Sequence, residues 1–397
     1  MRRSFALALA LCTALIALIA TPAAAGRGAT YIVTLADGAA VEQVAAAHGR
    51  AYGLELRYVY RHALKGYAAN MSAATAQALR QDPAVRSVVA DQAVSIDAQS
   101  IPTGIDRIDA ELSSARSGNG SGAVNVDVAV IDTGIDLDHP DLNVVGGTNC
   151  STGRSYDDGN GHGSHVAGTI GAKDDGAGVV GVAPGARLYA VRVLNNAGSG
   201  SWASVICGVD WVTGRSGTIE VANMSLGGTG DDKGGCNDGG LQEAICDSVA
   251  AGVTYAVAAG NSSDDAKNHV PAAYDQVITV SALADFDGKP GGLGSPTCRA
   301  DQDDTLADFS NFGSDIDLIA PGVCILSAWK GGGYKTISGT SMASPHVAGA
   351  AALYKSANPG ASPAQVKSAL QAAGTLDWDD RDDPDPTKER LLNVSGF

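Results

Sequence analysis

The chain has 397 residues, a formal net charge of −16, 45% hydrophobic residues and 51 glycines. That balance excludes a nucleic-acid partner, because no basic stripe offsets the acidic charge. It also excludes a disordered or low-complexity chain, since the apolar content suffices for a sizeable core.

The first 25 residues read as a secretory signal peptide: two arginines, an apolar stretch from Phe5 to about Ala20, and a small-residue site ending Ala23-Ala24-Ala25. No other stretch is apolar for long enough to span a bilayer. Cys12 leaves with the signal, so six cysteines remain in an oxidising compartment: Cys150, Cys207, Cys236, Cys246, Cys298 and Cys324. They suggest three disulfides. Cys236–Cys246 and Cys298–Cys324 are the sequence-local choices, leaving Cys150–Cys207, although six cysteines allow 15 pairings. No zinc spacing and no CxxC occurs.

From about 29 to 97 the pattern is a small α+β unit. YIVTL (31–35), LRYVY (56–60), KGYAANM (65–71) and VRSVVADQAVSI (85–96) read as strands, with helices over AAVEQVAAAHG and SAATAQALRQ, giving the order β-α-β-β-α-β. From about residue 101, short apolar strands alternate with helices. VDVAVI (126–131), ARLYAVRVL (186–194), IEVANMSL (219–226), VTYAVAA (253–259), QVITVSAL (276–283) and DIDLIA (315–320) suit a parallel sheet buried on both faces. Helices fall at 201–212 and 241–252. The expected class is a doubly wound α/β domain with its site at the carboxyl ends of the strands. The run DDRDDPDP (379–386) reads as a solvated loop.

Chemistry-bearing residues stand at those strand ends. Asp132 follows a buried strand; alone it would be a turn cap. His162 opens an apolar helix from a glycine-rich bend. Ser341 in GTSMASPH lies at another helix start, where backbone N–H groups and the helix dipole face a developing oxyanion. Together they are the three residue types of a nucleophilic triad: His162 as base and then acid, Asp132 orienting its imidazole, Ser341 as nucleophile. Asn261, after another apolar strand, supplies a second oxyanion donor. A lipase or esterase would instead show G-x-S-x-G and the order Ser-Asp-His, which are absent. A non-catalytic secreted binding protein on a degenerate copy of the fold would be expected to lack a member of the set.

The motifs DTGID (132–136), GHGSHVAGT (161–169), SLGG (225–228), AAGN (258–261) and GTSMASPH (339–346) resemble those of the subtilisin-like serine proteases, the subtilase family, in family order. The resemblance implies a secreted serine endopeptidase made as an autoprocessed zymogen, with residues 26–98 as inhibitory, ferredoxin-like propeptide and 99–397 as the peptidase domain. It implies that substrate peptides add as a strand between Ser225-Leu226-Gly227 and the segment containing Gly198. Trp202 would then wall the fourth pocket, with Ala258, Gly260 and His269 around the first. It also implies structural calcium held by the side chains of Gln99, Asp141 and Asp175 and the carbonyls of Lys173, Ala177 and Val179, an oxygen-only set. The expected partners are protein and peptide substrates and the chain's own propeptide, with no nucleic acid, no membrane after signal cleavage, and a monomeric state.

Overall fold

The computed structural model describes residues 29–91, 99–237 and 239–397; the segment 1–25, read from the sequence as a signal peptide, lies outside the described residues. The chain divides into two compact units, one ahead of Asp97 and one from Asp97 onward.

In the first unit, four antiparallel strands run in the order Glu55–Tyr60, Gly66–Met71, Ala29–Leu35, Val85–Ala90. Alternation decides which face is wet. Tyr31, Val33 and Leu35 point to one side and pack with Tyr67, Ala69 and Met71 across the sheet. Helices Val41–Tyr52 and Ala73–Leu79 close over that face with Val41, Ala45, Ala76 and Leu79. Ser72 caps the second helix by accepting from the Thr75 N–H at 3.1 Å. Gly53 ends the first in the left-handed region, φ 63°, where a Cβ would be strained. This is the expected ferredoxin-like order.

The second unit is a doubly wound sheet. Across it run Val144–Asn149, Arg187–Arg192, Asp127–Asp132, Val221–Met224, Thr254–Ala258 and Ile278–Ala284, every adjacent pair parallel. Leu318–Pro321 joins Ile278–Ala284 in parallel, and the short Thr305–Leu306 joins it antiparallel. The unbroken apolar runs are explained by two cores, one on each face. In the Asp127–Asp132 strand, Val128 and Val130 enter the core with helices His162–Gly171 and Thr340–Ala357. Ala129 and Ile131 enter the opposite core with Trp202–Thr213 and Leu241–Ala250. A strand buried on both sides has no polar face to alternate with.

Three disulfides form: Cys150–Cys207, Cys236–Cys246 and Cys298–Cys324. Two features were not legible beforehand, the Val144–Asn149 edge strand and the hairpin Ile325–Trp329/Gly333–Ile337. Among the described residues no helix is long and apolar enough to cross a membrane.

Candidate active site

Asp132 is the last residue of its strand and wholly buried. His162 is the first residue of its helix, and its Nδ1 meets both Asp132 oxygens, at 2.8 and 3.0 Å. Burial opposes charge on the His162 ring. The Asp132 charge and hydrogen bond outweigh it, with help from Asp158, and hold the imidazole above its ordinary range. Asp132 Oδ1 also accepts the Thr133 N–H at 2.7 Å, which fixes the carboxylate plane.

The turn that delivers His162 is organised by Asp158, a residue the motif reading passed over. Its Oδ1 accepts from Thr133 Oγ1 and from the Gly161 N–H, at 2.9 and 2.8 Å. Its Oδ2 accepts from the Ser164 N–H and hydroxyl, at 2.9 and 2.6 Å. One buried carboxylate therefore ties the strand end carrying Asp132 to the helix start carrying His162. Gly161 sits at φ 113° against the Trp329 ring, so a side chain there would be strained and would collide. The other histidines of these two motifs are spoken for. Burial pushes His165 down to about 3 and His346 down to about 4. The neutral His165 ring lies with Nε2 3.0 Å from the carbonyls of Ile325 and Lys335.

Ser341 stands in the first turn of the Thr340–Ala357 helix, and its hydroxyl donates to Ser225 O at 3.3 Å. In return Ser225 Oγ donates to Ser341 O at 2.8 Å, while Asn223 Nδ2 donates to Ser225 Oγ and Ser344 Oγ to Asn223 Oδ1. Asn223 is an amide inside an otherwise apolar buried strand, and this network is why it is there. Asn261 accepts at Oδ1 from the Thr340 N–H and hydroxyl, at 2.8 and 2.9 Å. That orientation leaves its Nδ2 as the group available to donate. The Asn261 bend is held by buried Asn311, which donates to Ala259 O at 2.8 Å and accepts the Ser262 N–H at 2.9 Å.

Two adjoining cavities share Leu226 and Gly227. The larger, about 690 Å³, is lined by His162, Ser225, Gly198, Trp202 and Val205 among others. The smaller, about 280 Å³, is lined by Ala258, Gly260, Asn261, His269, Thr340 and Ser341. Gly260, at φ 107°, approaches Asn311 so closely that a Cβ would fall 2.4 Å from its Nδ2. Trp202 begins its helix after the Ser201 capping box and lies over Gly228. His269 Nε2 meets Asp264 Oδ2 at 3.0 Å, and the His269–Val270 strand pairs antiparallel with Gly228–Thr229.

Of the six residues expected around calcium, four are connected. Gln99 Nε2 donates to the carbonyls of Lys173 and Val179, at 2.7 and 3.1 Å. Asp141 Oδ2 accepts the Val179 N–H at 2.9 Å, and Asp141 O accepts the Lys173 N–H. Burial raises the Asp141 carboxyl above the usual carboxylate range. Asp175 turns instead to the Ala177 N–H of its own loop, at 3.2 Å.

An aspartate at a strand end and a histidine and a serine at helix starts stand beside a cleft in two parts, and the comparisons give the class: this is a serine endopeptidase. Residues 123–390 match the model of the Subtilase family, and residues 30–97 that of Peptidase inhibitor I9. The chain is 41% identical over 299 residues to "Alkaline protease" of Alkalihalobacillus alcalophilus, covering 75% of this chain and 71% of that protein. It is 42% identical over 282 residues to "Subtilisin DY" of Bacillus licheniformis, 70% of this chain and 93% of that one. A crystal structure of a cold-adapted subtilisin-like serine proteinase superposes with a TM-score of 0.60 at 38% identity, covering 74% of this chain and 97% of its own. The chain belongs to the subtilase family, with an I9 propeptide unit ahead of its peptidase unit.

Proposed function

We propose that this peptidase cleaves peptide bonds by acyl transfer through Ser341, with His162 as base and then acid and Asp132 as the group that orients it. The observation that carries this reading is the His162 Nδ1–Asp132 contact at 2.8 Å. A ring bonded at Nδ1 presents Nε2 as the basic nitrogen, and the larger cavity includes His162 in its wall. The Ser341 hydroxyl, resting on Ser225 O, leaves it by rotating about χ1, gives its proton to His162 and adds its oxygen to the scissile carbonyl carbon. The resulting tetrahedral oxyanion takes hydrogen bonds from the Asn261 amide and the Ser341 N–H at the helix start. His162 then returns the proton to the leaving amine, and water repeats the sequence on the ester.

The substrate lies extended between Ser225-Leu226-Gly227 and the loop carrying Gly198, borrowing backbone hydrogen bonds. Its first side chain enters the smaller cavity against Ala258, Gly260 and His269, and the volume there suits apolar or aromatic groups. Trp202 borders the larger cavity, where a side chain further along the peptide rests.

Residues 26–98 act as intramolecular inhibitor and are removed in maturation, residues 1–25 direct secretion, and 99–397 work as a monomer. Calcium ties the chain start at Gln99 to the 173–179 loop. Gln99 stands hydrogen-bonded to two carbonyls, and turning its amide would add a third oxygen to theirs beside the buried Asp141 carboxylate. When bound there, calcium supplies only a structural crosslink.

Hydrolysis of a chromogenic peptide by the secreted protein, with a serine-directed covalent inactivator, tests the reading. Inactivator-sensitive turnover with the label on Ser341 is expected. Ser341→Ala should cut turnover by on the order of 10⁶-fold and leave residues 26–98 attached. Label on another residue, or processing by the variant alone, would overturn it.

A further inference from the structure

The acidic run near the C-terminus is fastened at both ends. Trp378 is buried with Leu283, Leu306, Ile319 and Leu391, and its indole N–H donates to Glu389 O at 2.9 Å. Leu391 bridges to Ile319 and to Thr375. The chain between doubles back and gathers Asp383, Asp385 and Glu389, with one carboxylate oxygen from each within 4.8 Å of the others. Glu389 is only 5% exposed. Its Oε2, with Oδ2 of Asp383 and of Asp385, is buried without any hydrogen-bond donor. The opposite oxygens of the two aspartates are already used, accepting the N–H groups of Asp385 and Thr387 at 3.3 and 2.7 Å.

No cation of the protein answers this charge among the described residues. Lys388 is held by Trp378 O and Asp380, Arg381 pairs with Asp379, and Arg390 donates to Gly374 O. Ion burial of this kind needs compensation. A proton shared between Asp383 and Glu389, which face each other, would serve two carboxyls and leave Asp385 outside. A divalent cation serves three at once. Three carboxylate oxygens within 4.8 Å of one another can all reach one ion at metal–oxygen distances of about 2.3–2.6 Å, the range of calcium.

We propose that Asp383, Asp385 and Glu389 form a calcium site that closes the C-terminal loop upon itself, separate from the Gln99–Asp141 region. Oxygen-only donors select a hard divalent ion over zinc or copper.

The test uses the full chain carrying Ser341→Ala to keep it intact, stripped with chelator and titrated calorimetrically with CaCl2. Parallel titrations with TbCl3, exciting tryptophan, read the ion beside Trp378. Glu389→Gln should bind one calcium fewer than the parent and lose most of the tryptophan-sensitised terbium emission. Equal calcium stoichiometry and equal emission in parent and Glu389→Gln would overturn the proposal and assign the cluster to a shared proton. Should Glu389→Gln fail to fold, the less buried Asp385→Asn gives the same reading. An Asp141→Asn control keeps the result separate from the site proposed at Gln99.

Discussion

The two halves of the site are built differently. The half holding Asp132 and His162 is assembled around the buried carboxylate of Asp158, and its central contact is already at 2.8 Å. The half holding Ser341 and Asn261 is a set of neutral hydrogen bonds, in which the Ser341 hydroxyl rests on a backbone carbonyl. The difference teaches that the imidazole is oriented by a buried charged contact formed on folding, whereas the Ser341 hydroxyl is held only by one hydrogen bond to a backbone carbonyl.

That contrast can be broken most severely at Asp132. Asp132→Asn should lower kcat by about 10⁴-fold, measured with a small peptide substrate. The same experiment carries a pH prediction. In the parent, the acid limb of kcat/KM should lie above the ordinary imidazole value of 6.5, since the neutral ring is the base and the folded protein favours the charged one. Without the carboxylate, burial of His162 prevails and the limb should move to lower pH. An unmoved limb would show that another group titrates.

On the other half, Asn261→Ala should cost about 10²–10³ in kcat with little change in KM, because its amide acts on charge that appears only in the transition state. A rise in KM alone would make Asn261 a binding residue. Asp158→Asn sharpens the comparison. It removes charge but leaves the chain trace, and should lower kcat about 10- to 100-fold through misplacement of His162. The readout that separates positioning from general damage is the pH profile, whose acid limb should shift along with kcat. The smallest effect belongs to Trp202→Ala. It should raise KM for extended peptides by less than about tenfold, under about 1.4 kcal/mol, while kcat for short ones is unchanged.

Part of this plan is legible along the chain. VDVAVI reads as a buried parallel strand because its run of β-branched and apolar residues, broken only by Asp127, is of strand length and too short for a helix. Other parts had only faint signals. Asn223 is one amide in an apolar strand, a hint of a buried polar network but not of its partners. Asp158 lies in DDGNGHG beside Asp157, and nothing local distinguishes the buried carboxylate from the exposed one. Four of the six residues of the Val144–Asn149 strand are glycine or polar, so its pairing depends on its neighbour Arg187–Arg192 rather than on its own pattern.

Apolar periodicity determined, without any structure, the two units and the parallel sheet, and short motifs put forward Asp132, His162, Ser341 and Asn261 as the candidate reactive side chains, since these depend on local propensity and on chemistry written into short segments. The tertiary structure alone decided which carboxylate supports the histidine helix, where the Ser341 hydroxyl rests, and that three acidic side chains of an apparently solvated loop are drawn together with Glu389 buried. Those outcomes depend on distances between residues far apart in the chain, and on how much water each polar atom loses, which no local pattern encodes.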